Sequence, residues 1–253
     1  MSMMGELTFF LGLQIKQMEN GTFISQTKYC KEVLKKFRMG TAKEASTPDI
    51  MQFVCVCVCA RFQVNPKESH LTAVKRILKY LKGIAYFGLW YPSGASPSLI
   101  GYSDADNGGC KIDRKSTSGT CHLLGSLLVS WHSKKQACVA LSTIEAEYIV
   151  AGNCCAQILW MKQQLEDYNI FLNHIPLKCD NTSAINLTKN PIMHSRTKHI
   201  EIRHHFLRDH INKGNCEIEY IDTKHQLVYI FTKPLAKDRF YELRRDLAIL
   251  EIS

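Results

Sequence analysis

The chain has 253 residues, of which 22% are charged and 45% apolar, so it is long enough for a buried core and too apolar for a disordered segment. Lysine and arginine outnumber aspartate and glutamate by 32 to 23, a formal charge of +9, which favours a polyanionic partner, nucleic acid first, over a merely basic solvated surface. No run of about 18 apolar residues is present to span a bilayer, Met1–Glu6 is not a secretory leader, and eleven cysteines without framework spacing predict reduced thiols in an intracellular compartment.

The first elements read as a hairpin and a helix. Leu11, Leu13 and Ile15 alternate with Gly12, Gln14 and Lys16, Asn20-Gly21 supplies a two-residue turn, and Thr22–Ser25 returns. From about Thr27, Cys30, Val33, Leu34 and Phe37 share one helical face until Gly40 stops the helix. After a loop over Thr41–Pro48 comes Cys55-Val56-Cys57-Val58-Cys59. Zinc knuckles space their cysteines more widely and in pairs, so these thiols read as small buried hydrophobes. A second helix runs from Pro66 to Gly83, with Leu71, Val74, Leu78 and Leu81 as its apolar stripe. Lys67, Lys75, Arg76, Lys79 and Lys82 leave it a basic surface, suited either to a phosphate backbone or to water alone. Turn residues from Tyr91 to Pro97 mark the domain boundary.

From Ser98 the pattern becomes strands first and helices later. A strand through Gly101-Tyr102-Ser103-Asp104 ends at Asp106-Asn107-Gly108-Gly109. Ser118–Leu124 and Leu127–Trp131 form a hairpin about Gly125-Ser126, which makes the first three strands an antiparallel meander. Ser142-Thr143-Ile144-Glu145 is a capping-box sequence that opens a long helix, with Ala146, Val150, Cys154, Ile158, Met161 and Leu165 facing inward. Leu177–Asp180 reads as a fourth strand, Asn181-Thr182-Ser183 starts a short helix, and a basic helix follows from about Thr197 to Lys213. Glu217–Ile221 is a fifth strand, and the remainder reads as mostly helical. This order is an α/β layered plan.

Three isolated carboxylates suggest chemistry: Asp104 where the first strand of this region runs out, Glu147 at the border of the helix stripe, and Asp180 at the end of the fourth strand. Phosphodiester hydrolysis by two divalent ions about 3.5–4 Å apart needs such a set. Spacing leaves open whether the three meet, because acidic residues at element ends also serve as caps and surface charges. His194, His199, His204, His205 and His210 could suggest zinc, but no cysteine pair lies near them. The interleaved Arg196, Lys198, Arg203 and Arg208 point instead to a phosphate-facing surface. Neither a Gly-x-Ser-x-Gly elbow nor a Gly-x-x-x-x-Gly-Lys phosphate loop is present.

At Gly101–Asp106, Asp113–Gly119, Ser130-Trp131, Ser133–Gln136, Leu141–Thr143 and Glu145–Tyr148 the sequence resembles the ribonuclease H domain of copia-type retrotransposon polyproteins. Cys179-Asp180-Asn181, His194–Ile200 and Phe231–Leu235 continue the match in the same order. Upstream, Gly5–Leu7, Phe10–Gln14, Asn65–Lys67 and Leu78–Gly83 resemble copia-type reverse transcriptase. The resemblance implies an RNase H-like mixed five-stranded sheet flanked by helices over residues 96–253. Before it, residues 1–95 would be a small α+β remnant of the reverse transcriptase thumb and connection region. It implies cleavage of the RNA strand of RNA–DNA hybrids with two Mg2+ ions, or Mn2+ in their place, held by Asp104, Glu147 and Asp180. Asp106 and Glu145, although adjacent, are not expected as ligands. Lys134, Lys135, Arg196, Lys198 and Arg203 would hold nucleic acid. The remaining Pol polyprotein would be a partner in an intact element, in a cytoplasmic virus-like particle or in the nucleus, with no membrane role.

Three departures bear on that expectation. The family's fourth metal-binding aspartate falls in Leu-Ala-Asp-Ile-Phe-Thr-Lys, where this chain has Leu227-Val228-Tyr229-Ile230-Phe231-Thr232-Lys233, so Tyr229 replaces a carboxylate. A phenol is a poor ligand for a hard cation, which predicts an impaired site. The polymerase's paired-aspartate motif does not occur in the sequence, so polymerisation is not expected. Finally, Ser46–Met51 joins two family segments directly. The alternative function is a non-catalytic nucleic-acid-binding remnant of a decayed retroelement.

Overall fold

The computed structural model describes residues 6–46, 63–94, 96–110, 113–189, 201–233 and 235–252, with backbone alone for 201–205. The cysteine-rich run at 55–59 therefore lies outside the described residues, as do His194, Arg196, Lys198 and His199 and the side chains of Arg203, His204 and His205. The chain divides into two compact units: residues 1–95 with 234–253, and residues 96–233.

The first unit holds an antiparallel sheet of β1 (Phe9–Phe10), β2 (Leu13–Met18), β3 (Gly21–Ser25), β4 (Phe87–Pro92) and β10 (Ile249–Glu251), in that spatial order. Its helices are α1 (Thr27–Lys36), α2 (Glu68–Gly83) and α7 (Lys237–Asp246). The opening hairpin forms, but its turn falls one residue earlier than expected: Met18 pairs with Gly21, which leaves Glu19-Asn20 as the loop. The expected link at Tyr91-Pro92 is the end of β4 instead, where these two residues pair with Thr22 and Gly21 of β3, while β10 pairs with Phe87, Gly88 and Leu89 of the same strand. Residues 234–253 were assigned to the second domain and read as helical, yet they belong to the first unit and end in a strand. The physical reason is apolar burial. Phe240, Leu243 and Leu247 are buried, Phe240 meets Tyr80 of α2 edge to face, and β10 fills the open edge of β4.

The second unit holds β5 (Leu99–Asp106), β6 (Thr117–Leu124), β7 (Leu127–Lys135), β8 (Pro176–Cys179) and β9 (Glu217–Tyr220). Spatial order is β7-β6-β5-β8-β9, with an antiparallel β5–β6–β7 meander and β8 and β9 parallel to β5. This mixed five-stranded sheet with flanking helices is the RNase H-like fold. The helices are α3 (Thr143–Asp167), α4 (Thr182–Lys189), α5 (Glu201–Asn212) and the single turn α6 (Tyr229–Thr232), preceded by a 3-10 turn at Thr223–His225.

Helix α3 begins at the expected cap. Ser142 Oγ accepts from the Glu145 backbone N–H at 3.2 Å, and Glu145 Oε2 accepts from the Leu141 N–H at 2.7 Å. Glu145 is thereby committed to helix initiation. The helix packs on the sheet through Cys154 and Ile158, which share a buried core with Leu99, Leu177, Leu207 and Ile218. Gly101 allows that approach: a Cβ there would stand 2.7 Å from Ile158 Cδ1 and 2.8 Å from Cys154 Sγ. The buried face at the start of α3 is wider than a stripe, since residues 145–151 are all buried. The described cysteines carry free thiols.

Candidate metal centre

Strand β5 continues two residues beyond Asp104, so this carboxylate sits inside the strand and not at its end. It is fully buried and lies directly across from Gly119 of β6. That partner has to be glycine. A Cβ at Gly119 would fall 2.4 Å from Thr232 Cγ2 and 2.7 Å from Val228 Cγ1, so only the bare backbone lets the α6 segment cross the strand here. The segment is tied down at three points. Gln226 Nε2 donates to the Ser103 carbonyl at 3.0 Å, Ser133 Oγ donates to the Phe231 carbonyl at 2.7 Å, and Thr232 Oγ1 donates to Asp104 Oδ2. Lys233 then reaches Asp104, with Nζ 2.9 Å from Oδ1.

Glu147 reaches the same strand from α3, where its Oε1 accepts from the Ala105 N–H at 3.2 Å. Its Oε2 is buried and has no hydrogen-bond partner among the described residues. Asp180 follows the last residue of β8, and its Oδ2 accepts from the Tyr229 hydroxyl and from Thr223 Oγ1 at 3.5 Å. One ligand atom from each of Glu147, Cys179 and Asp180 fits within 4.8 Å of the others. Burial pushes the Cys179 thiol up to about 12, with Glu147's charge adding to the effect, so it stays a thiol and offers little to a hard cation.

Asp104 is not part of that group, but the charges of the three carboxylates act on one another. Burial, then the charge of Asp104, and less strongly that of Asp180, push Glu147 up to about 9. Asp104 is also raised, by burial first, against the opposing effects of Lys233 and the Thr232 hydroxyl. Burial works to lower the Lys233 ammonium, but the Asp104 charge and hydrogen bond outweigh it and leave the group raised. Without a cation the cluster thus lowers its own repulsion in two ways: Glu147 keeps a proton, and Lys233 lends a positive charge.

Tyr229 sits where the resemblance calls for a fourth carboxylate, and it donates a hydrogen bond into the site. Burial and the bond to Asp180 push its hydroxyl up to about 12, so it remains a neutral phenol. Asp222 does not replace it, because its Oδ1 accepts from the Lys224 N–H at 2.9 Å and caps the 3-10 turn. Asp106 likewise serves the local fold by accepting from the Thr117 N–H.

The other expected positions are less conclusive. Lys134 is exposed near the end of β7. Lys135 is engaged, with Nζ 3.1 Å from Asp113 and 2.9 Å from Cys110 Sγ. Among the histidines, His210 Nδ1 accepts from Asn215 Nδ2 at 2.9 Å and its ring lies 4.6 Å from that of Phe206, which makes it a packing residue. Sequence reasoning missed Thr232 and Lys233 as site residues, although both lie in a stretch that carries the resemblance.

Comparison with known proteins bears on the whole chain. It is 33% identical over 282 residues to a retrovirus-related Pol polyprotein from transposon RE1 of Arabidopsis thaliana, a match over 98% of this chain and 19% of that protein. It is 32% identical over 287 residues to the corresponding polyprotein from transposon TNT 1-94 of Nicotiana tabacum, over 96% of this chain and 22% of that protein. The chain belongs to the copia-type retrotransposon Pol family. This Pol segment spans about a fifth of the length of those relatives. No protein-family model matches it. Among solved structures it is similar to LC11-RNase H1 isolated from compost, at 12% identity and TM-score 0.40, over 58% of this chain and 92% of that one.

Proposed function

We propose that residues 96–233 of this Pol segment are a ribonuclease H-like domain that hydrolyses the RNA strand of RNA–DNA hybrids, impaired relative to a four-carboxylate site. What supports this reading is that Glu147 and Asp180 offer ligand atoms within 4.8 Å of one another on an RNase H-like sheet, with the charge of Asp104 acting on Glu147. The donor set fits a divalent cation. All three groups are carboxylates, and Glu147 Oε2 is buried and unpartnered among the described residues. Asp104, Glu147 and Asp180 would hold Mg2+, or Mn2+ in its place, and such an ion supplies activation of water and stabilisation of the leaving oxygen. The set does not fit a second ion equally well, since Tyr229 contributes a hydrogen-bond donor where a carboxylate would be needed. The chain's own residues orient the site: Ala105 N–H fixes Glu147, Thr232 fixes Asp104, and Thr223 and Tyr229 fix Asp180.

The substrate class follows from the charge of +9 and from the family. Lys134, Lys135, Arg196, Lys198 and Arg203 are the proposed nucleic-acid contacts, and Lys135 would have to exchange its present partners to serve. No described helix is long and apolar enough to cross a membrane. An intracellular setting, with the rest of the polyprotein as partner in an intact element, completes the proposal. So do the ends of its domain, 96–233 in place of 96–253.

The test is cleavage of a labelled RNA–DNA hybrid in Mg2+. Asp104→Asn is expected to lower the rate by about a thousandfold, and activity unchanged by that substitution would reject the assigned site. Tyr229→Asp is expected to raise the rate. A second reading, non-catalytic binding of nucleic acid, is favoured by the neutral phenol at Tyr229. It predicts affinity that falls steeply with salt while every variant leaves the hybrid intact.

A further inference from the structure

We propose that Lys233 is a resident counter-cation of the carboxylate site, directed onto Asp104 because Tyr229 offers it a ring and no charge, and that it competes with divalent metal there. The inference rests on the same carboxylates being a cation site, but not on their cleaving anything.

Three observations carry it. First, the ammonium is already paired: Nζ lies 2.9 Å from Oδ1 of a fully buried carboxylate, while Thr232 occupies the other oxygen. Both oxygens of Asp104 are thus engaged by the α6 segment, so a metal has to share them with protein donors or displace one, and the Lys233 charge opposes sharing. Second, the Lys233 ammonium lies 3.8 Å from the centroid of the Tyr229 ring, close enough for a cation–π contact that aligns it with the site. A carboxylate at position 229 would compete with Asp104 for that ammonium, whereas the phenol instead spends its hydroxyl on Asp180. The change at 229 therefore does two things: it removes a ligand, and it leaves Asp104 as the charge that Lys233 pairs with.

Third, the pair is asymmetric. Lys233 keeps 35% of its side-chain surface exposed and Asp104 has none. The ammonium can swing to water and be solvated there, while the carboxylate stays buried and needs some cation. An incoming divalent ion thus meets an occupied but displaceable partner. Gly119 makes the arrangement structural, because any side chain there would lift Thr232 and with it Lys233 away from Asp104.

The experiment is Mn2+ titration of the full chain by calorimetry, with no nucleic acid present. Lys233→Met, which keeps the aliphatic stem and removes the charge, is expected to bind Mn2+ about tenfold tighter than the unaltered protein. Lys233→Arg, which keeps the charge, is expected to bind as weakly as the unaltered protein. Equal or weaker binding by Lys233→Met, or equal tightening by both variants, would overturn the proposal. So would a lack of Mn2+ binding by all three proteins. A measurement on the unaltered protein guards against a variant that fails to fold: the Lys233 side-chain N–H signal in NMR should be protected without metal and lost on Mg2+ addition. A signal unchanged at saturating Mg2+ counts against it equally. Hybrid cleavage is scored separately, so a protein that tightens as expected but never cuts RNA sinks the nuclease reading and leaves this one standing.

Discussion

The sheet of the first unit, β1-β2-β3-β4-β10, and that of the second, β7-β6-β5-β8-β9, each have five strands but treat polar groups differently. In the first, Ser25 is the one buried polar residue among the described residues. In the second, Asp104, His122, Gln136, Glu147 and Gln226 are all buried. The first unit stacks short helices on an antiparallel sheet and achieves a shallow core. The second has a 25-residue helix over strands that are closed in on both sides. Only that second environment is dry enough to raise a carboxylate to about 9, as at Glu147. Depth of burial, rather than sheet size, is what separates the two units among the described residues.

That contrast can be broken by experiment. Ile158→Ala should cost about 4 kcal/mol of local stability, because the side chain is fully buried against Gly101 and Leu177. Loss of hydrogen-exchange protection in β5 and β8 would report it, and undiminished protection would mean the core is not what the packing implies. His122 comes next. Burial lowers it from 6.5 to about 4 in the folded chain, against a weaker opposing bond to the Cys154 carbonyl. The unfolded chain therefore takes up the proton first. Stability is fully present above pH 6.5 and is lost as pH falls through 4, by about 3 kcal/mol in all. Protection of β6 amides that stays flat from pH 6.5 to 4 would refute a buried neutral imidazole.

Leu34→Ala tests the other side of the comparison. Leu34 is buried in α1 of the shallow core, where water can reach part of the vacated space, so the expected cost is about 2 kcal/mol, read from exchange in β2 and β3. A cost as large as that of Ile158→Ala would erase the distinction between the units. The smallest effect is expected at Ser142→Ala, which removes the cap of α3 for about 1 kcal/mol. It should leave Mn2+ binding intact, since the cap lies a turn before Glu147; altered metal affinity would show that the start of α3 positions the site directly.

Much of the second unit was legible from local pattern. Alternation and turn residues marked β6, β7 and β9, the Ser142–Glu145 box marked the start of α3, and the apolar stripe marked which face packs. The first unit was less legible. Its last strand, Ile249–Glu251, is too short for alternation to register, and it is a strand because β4 offers an unpaired edge. Asp104 was found because a carboxylate where a β-like run gives way to turn residues stands out, while Lys233 was not, because a lysine near a proline looks like any surface residue.

By itself the sequence determined the order of elements in the second unit, the family, and the three carboxylates and Tyr229 as residues of interest, because each is encoded within a few neighbouring residues. Tertiary structure alone decided that Asp104 lies inside its strand with no solvent, that Gly119 opens a path for Thr232 and Lys233, and that one oxygen of Glu147 is left without a partner among the described residues. Those facts depend on groups up to 129 positions apart in the chain. The energy of a buried charge is set by what the fold brings next to it, and no local pattern in the sequence carries that information.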